Sequence, residues 1–189
     1  MDELLNKTLA SDETLLWSGS PESFETFDRT YKPIFIRKLI ISLVIAAALT
    51  AAYFIAAGDN DVGVKWGLLI FVWIVCILPP INVPRDSKLL KTKIRYAVTD
   101  KRYLTLSNTV RDVEIAKCGK AYFVTDADGH TSFVTGMEGE KNLKANMREA
   151  AVVGVSMDTE ADKCDRYVMY AVSDVEGLKQ ALKKTEAEF

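Results

Sequence analysis

Leu39 to Ala57, LIISLVIAAALTAAYFIAA, and Trp66 to Val83, WGLLIFVWIVCILPPINV, decide the fold of this chain. The two runs hold 19 and 18 residues and no charge. At ~1.5 Å per helical residue, each is about long enough to cross a hydrocarbon core of ~30 Å. Helices apolar on every face are seldom buried side by side in a soluble protein of 189 residues. Residues 39–83 therefore read as a transmembrane helix hairpin closed by the loop Gly58 to Lys65, GDNDVGVK. The first run starts behind a charged segment with no short apolar region of its own, so a cleavable signal is not expected.

Charge on either side of the runs orients the hairpin. Arg29, Lys32, Arg37 and Lys38 precede the first run, and Arg85, Lys88, Lys91, Lys93 and Arg95 follow the second. The loop sets Asp59 and Asp61 against Lys65 alone. Positive charge stays on the cytoplasmic side, which predicts a two-helix, multi-pass protein of the cell membrane with both termini inside. Arg37, Lys38, Arg85, Lys88, Lys91 and Lys93 are candidate contacts for anionic lipid headgroups, at ~1 kcal/mol each. Topology determination accounts for the same residues. Residues 94–189 carry 14 Lys and Arg against 16 Asp and Glu, so no basic groove for nucleic acid is expected.

Within the membrane the polar residues are Ser42, Thr50, Tyr53 and Asn82, and none is ionisable near neutral pH. Pumps, transporters and channels usually keep a buried charge, so those readings lose weight. Ser42, Ala46 and Thr50 share one helical face, and Ala48, Ala52 and Ala56 share another. Such faces admit close helix packing, with the second run as the natural partner and a homo-oligomer as the alternative. Pro79 and Pro80 remove amide donors and are expected to loosen the end of the second helix.

Ahead of the hairpin, Leu4, Leu5 and Leu9 suit one side of a short helix. Leu15, Leu16 and Trp17 in ETLLWSGSPE are too apolar to be left in water, and with Pro21 they form a candidate intramolecular docking segment. Ser20 and Pro21 read as a helix start. Phe24, Phe27, Tyr31 and Phe35 then follow as a stripe for the membrane interface or for the cytoplasmic domain.

From Ile94 the period changes. KIRYAVTD, YLTLSNT, VRDVEIAK, KAYFVTD, HTSFVTG and RYVMYAV alternate as strands, with an Asp128-Gly129 turn between two of them. Ser173 and Asp174 cap a final amphipathic helix with Val175, Leu178 and Leu182 on its apolar side. The fold class is a membrane α-hairpin plus a cytoplasmic α+β domain, an antiparallel β-barrel or sandwich capped by a C-terminal helix.

The words ETLLWSGSPE, IRYAVTDKRYLTL and YVMYAVSDVEGLKQAL resemble bacterial membrane proteins with a pleckstrin-homology-like domain. The first two are similar to that family's "LW-x-G-x-P" and "Y-x-(L/V)-T-(D/N)-x-R" patterns. The resemblance implies a PH-like domain over 94–189, while the charge pattern gives a cytoplasmic N-terminal segment at 1–38 and a basic juxtamembrane linker at 84–93. It departs from the family in a long polar insertion near 137–164, where EKNLKANMREAAVV has helical character. In eukaryotic relatives the first hairpin often carries basic residues for phosphoinositides. Lys101 and Arg102 stand there, but Asp100 lies beside them and the domain is acidic.

No catalytic, cofactor or metal site is expected. Cys76, Cys118 and Cys164 show no CxxC spacing, and His130 is the only histidine. DADGHTSFVTGM opens like an EF-hand loop but has Thr131 at the sixth position and Met137 at the twelfth, so it reads as a turn. The expected role is protein interaction or scaffolding at the inner membrane face, through a strand edge or the insertion. Lipid sensing and an accessory-subunit role are the alternatives, and the partner's identity is not encoded in any motif.

Overall fold

The computed structural model describes residues 5, 7–59, 64–136, 143–158 and 163–185. Leu4, the loop tip at 60–63 and residues 137–142 and 159–162 of the insertion lie outside them. Strand β1 (Leu15–Gly19) leads into two long helices, α1 (Tyr31–Asp59) and α2 (Trp66–Lys93). Both are long and apolar enough to cross a membrane, and most of their surface is uncovered by the rest of the chain. Ser42 and Ala46 are buried, while Ala48, Ala52 and Ala56 are exposed. Between the helices Trp73 Nε1 donates to Thr50 Oγ1 (3.2 Å), and the Lys65 amide donates to Tyr53 OH (2.7 Å). Thus the first small-residue face packs within the hairpin.

α2 does not stop at the end of its apolar run. The stretch 84–93 forms its last turns, and Ile94 passes directly into β2 (Arg95–Thr99). Val83, Ser87, Leu90 and Ile94 are buried in the domain core. The helix continues through Pro79, Pro80 and Pro84.

β2, β3 (Arg102–Leu106) and β4 (Val110–Glu114) complete an antiparallel sheet in the order β1-β2-β3-β4. After a short 3-10 turn come β5 (Ala121–Thr125), β6 (Thr131–Thr135), α3 (Leu143–Val153), β7 (Ser156–Asp158), β8 (Lys163–Met169) and α4 (Val175–Leu182). The second sheet runs β5-β6-β8-β7, also antiparallel. The two sheets meet through single bridges, Pro21 with Val172 and Cys118 with Cys164, and do not close into a barrel. The barrel half of the expectation is corrected accordingly. Closure needs continuous strand pairing at a consistent stagger, which two isolated bridges do not supply.

Between the sheets Tyr103 stacks on Tyr167 (centroids 5.6 Å) and meets Phe133 edge-on (5.2 Å). The Thr105 hydroxyl donates to Tyr167 OH (3.0 Å), satisfying a phenol that would otherwise be stranded. On the other face of β2 and β3, Leu5 and Leu9 cover Ala97, Leu104 and Leu106. The first sheet is therefore covered on both sides. Asp174 caps α4 by accepting from the Gly177 amide (2.9 Å).

Candidate functional site

A dense polar cluster lies where the helix hairpin enters the domain, and it is built around Arg148 of α3. Met147, Ala150 and Ala151 turn α3 into the core, and the small alanines let it lie close to α2. Arg148 follows them inward and is 1% exposed. Its Nη1 donates to Thr26 O (2.9 Å) and Ser87 Oγ (3.0 Å). Its Nη2 donates to Glu25 O (3.1 Å), Tyr170 OH (3.1 Å) and the Asp28 carboxylate. The guanidinium lies 3.8 Å from the Tyr31 ring centroid and 4.4 Å from that of Phe24. The Arg148 amide donates to Tyr31 OH (3.0 Å). A single side chain thus ties the N-terminal segment, α2, α3 and the end of β8.

Asp28 is the counter-charge, with a side chain 3% exposed. Burial raises its carboxyl above the ordinary range, and the Tyr31 amide and Arg148 pull against that rise. It also caps α1, accepting from the amides of Thr30 (3.1 Å) and Tyr31 (2.7 Å). Helix α1 therefore starts ten residues after the expected Ser20–Pro21 cap, because Pro21 is committed to its bridge with Val172. The aromatic stripe splits as a result. Phe24 and Tyr31 turn inward, while Phe27 stays exposed and packs on Phe35 (centroids 4.9 Å).

The network extends to the β5–β6 turn. Tyr170 OH donates to Asp126 Oδ2 (3.2 Å), with burial pushing the phenol up so that it keeps its proton. His130 is half-buried with Nδ1 2.6 Å from Glu22 Oε1 and its ring edge-on to Phe24. Asp126 accepts from the amides of Asp128 and His130, which is turn geometry, and no metal-binding cluster occurs among the described residues.

The candidate headgroup cations fall into distinct surroundings. Lys38 Nζ is 4.0 Å from Glu149, and Lys91 Nζ donates to Thr26 Oγ1 (3.1 Å) beside the Phe24 ring. Arg37, Arg85, Lys88 and Lys93 are exposed without an ion-pair partner among the described residues. Arg37 joins Arg29 and Lys32 around a shallow groove of about 640 Å³ floored by Pro33, Ile36, Ile40 and Ile41.

Of the candidate docking residues, Trp17 is buried and its Nε1 donates to Asp174 Oδ2 (3.1 Å). Leu16 packs against the core, Leu15 is exposed at the start of β1, and Pro21 forms its bridge. Gly19 is required by this arrangement: a Cβ there would come 2.4 Å from the Trp17 ring.

The cations of the first hairpin are already neutralised. Arg102 clamps Glu13 with Nε (2.8 Å) and Nη2 (2.6 Å) and reaches Asp112 with Nη1 (2.7 Å). Lys101 Nζ lies 2.5 Å from Asp12. The Arg102 hydrogen bonds hold Glu13, whose side chain is 1% exposed, down to about 2. Asp100, Asp112 and Glu114 line the adjoining cleft as well, so its chemistry disfavours phosphate. Cys118 and Cys164 are reduced neighbours with the Cys118 thiol pushed up by Cys164 and by burial.

Sequence reasoning missed Arg148 because one arginine in a polar stretch reads as solvated. The available signal was the flanking Met147, Ala150 and Ala151 at spacings of three and one. No family model, curated protein or solved structure matches this chain.

Proposed function

We propose that this chain is a membrane-anchored platform at the cytoplasmic face of a cell membrane, with a PH-like domain that meets a protein partner. The observation that carries the reading is the continuity of α2 into the core through Val83, Ser87 and Leu90, locked by Arg148. A domain hung on a flexible linker samples many orientations, whereas one built around the anchoring helix presents a fixed face to the bilayer.

Partner recognition is assigned to the sheet edges. The buried face of α3 makes that part of the insertion a core element, so its deletion would unfold the domain. β5 ends the second sheet and carries Phe123 and Val124 half-buried without a charge, a strand type suited to partner contact. A photo-crosslinking residue at Phe123 of the full chain in cells is expected to capture one defined protein, with Val124→Asp abolishing the adduct. The same probe at lipid-facing Ala52 is expected to capture none. Adducts from Ala52 and none from Phe123 would replace this reading with the accessory-subunit one. Extraction of the chain by alkaline carbonate would overturn the membrane anchor itself.

A further inference from the structure

Between Glu25 and Asp59 the sequence has one acid, Asp28, and the fold removes it from the surface. Its carboxylate is committed to Arg148 and to the first amides of α1. Two consequences follow for the outer flank of that helix. Arg29, Lys32 and Arg37 are exposed, with no carboxylate paired to them among the described residues. The helix N-terminus is also already capped, so an anion arriving there is met by side chains and not by free amides.

These cations rim the groove floored by Pro33, Ile36, Ile40 and Ile41. Lys32, Ile36 and Ile40 recur every fourth residue and so stack along one face, spanning about 12 Å of helix axis. One end of this face is cationic, and the other runs into the apolar membrane segment. We infer that the groove binds one anionic glycerophospholipid. Its phosphate sits among Arg29, Lys32 and Arg37, and one acyl chain lies along Ile36, Ile40 and Ile41. Arginine's planar fork suits two phosphate oxygens, and lysine adds a point charge. A zwitterionic headgroup would bring its ammonium against three cations without a carboxylate to receive it, which supplies discrimination. The cations of α2 have a different setting: Asp86 lies beside Arg85, with Lys38 and Glu149 as its other charged neighbours.

The inference rests on the membrane-anchor reading, and its test separates the two. The full chain in detergent is offered equal amounts of phosphatidylglycerol and phosphatidylcholine and examined by native mass spectrometry. The expected result is one retained phosphatidylglycerol, favoured at least tenfold. The triple variant R29Q/K32Q/R37Q is expected to bring that preference near parity, and R85Q/K88Q/K93Q to keep it within twofold. Ile36→Trp, which fills the groove and leaves every charge, is expected to lower retention at least fivefold with an unchanged melting temperature. It provides the reading should the triple variant fail to fold. Equal losses in both triple variants would reduce the site to diffuse electrostatics and overturn the proposal. So would a wild-type chain without preference. Displacement of the lipid by 20 mM inorganic phosphate would mark a free-phosphate site and overturn the choice of occupant. Carbonate extraction reports separately on the anchor.

Discussion

Replacing Arg148 by methionine tests whether anchor and domain are one body. The change leaves Asp28 as a carboxylate buried at 3% exposure without its cation. It also strips donors from Thr26 O, Glu25 O, Ser87 Oγ and Tyr170 OH. Removing one member of a buried pair costs about 3–5 kcal/mol, chiefly through the charge left behind. Methionine regains part of the packing against Phe24 and Tyr31, because its thioether adapts to aromatic edges. A net loss of about 4 kcal/mol is expected, a fall in melting temperature of about 8–16 °C for a chain of this size. The assay is thermal unfolding of the full chain in micelles, followed by near-UV circular dichroism, with hydrogen exchange over residues 143–153. Asp28→Asn in the same background removes the stranded charge, so the double variant is expected to lose less than the two single losses added. A coupling of about 1.5–3 kcal/mol follows. Strict additivity, or an Arg148→Met chain within 1 kcal/mol of wild type, would refute the claim that this pair holds the joint.

Two further outcomes concern the N-terminal segment. Glu13 is held down to about 2 from its ordinary 4.5 by Arg102, so its contribution is complete above pH 4.5 and disappears as pH falls toward 2. By linkage it amounts to about 3 kcal/mol. Melting the wild type and Glu13→Gln between pH 5 and 2 checks this, and parallel curves would dismiss the clamp. Gly19→Ala places a methyl 2.4 Å from Trp17, which is held in turn by Asp174, and is expected to cost about 1–3 kcal/mol. Gly119→Ala, outside any helix or strand and with nothing within 4 Å, is its control in the same melts. Equal melting of the two variants would remove the steric argument.

The elements that were readable from sequence are those whose signal is local. The two apolar runs, the alternating strands, the Asp128-Gly129 turn and the Asp174 cap each depend on neighbours a few residues away. Where the reading failed, the deciding partner lay far along the chain. Ser20–Pro21 has good helix-start chemistry, but a bridge to Val172 claims Pro21 and Asp28 takes over as the cap. Phe24 through Phe35 has helical spacing, but the residues before Tyr31 are not helical. Arg148 looks like a surface residue until Asp28, Ser87 and Tyr170 are brought around it from three other segments. Of the six candidate headgroup cations only Arg37 lines the groove. Arg29 and Lys32 complete it because Asp28, their sequence neighbour, has turned inward.

The course of α2 shows where the helix ladder is interrupted before it enters the domain. Each proline lacks the amide that would bond the carbonyl four residues before it, so Pro79, Pro80 and Pro84 free the carbonyls of Val75, Cys76 and Pro80. Beyond them the helix regains support: Ser87 Oγ donates to Val83 O (2.9 Å), and Ser87 also accepts from Arg148. Val83, Ser87 and Leu90 are buried, whereas Ile74, Val75, Ile77 and Leu78 are exposed. Helix bending concentrates where the hydrogen-bond ladder is broken and no tertiary contact replaces it. The softest stretch therefore precedes the core contacts, within the apolar run. A bend there would tilt the domain and the terminal α2 turns together, with the Arg148 joint and the start of α1. A lipid seated among Arg29, Lys32 and Arg37 would act on that tilt directly, because its cations belong to the segment the joint holds.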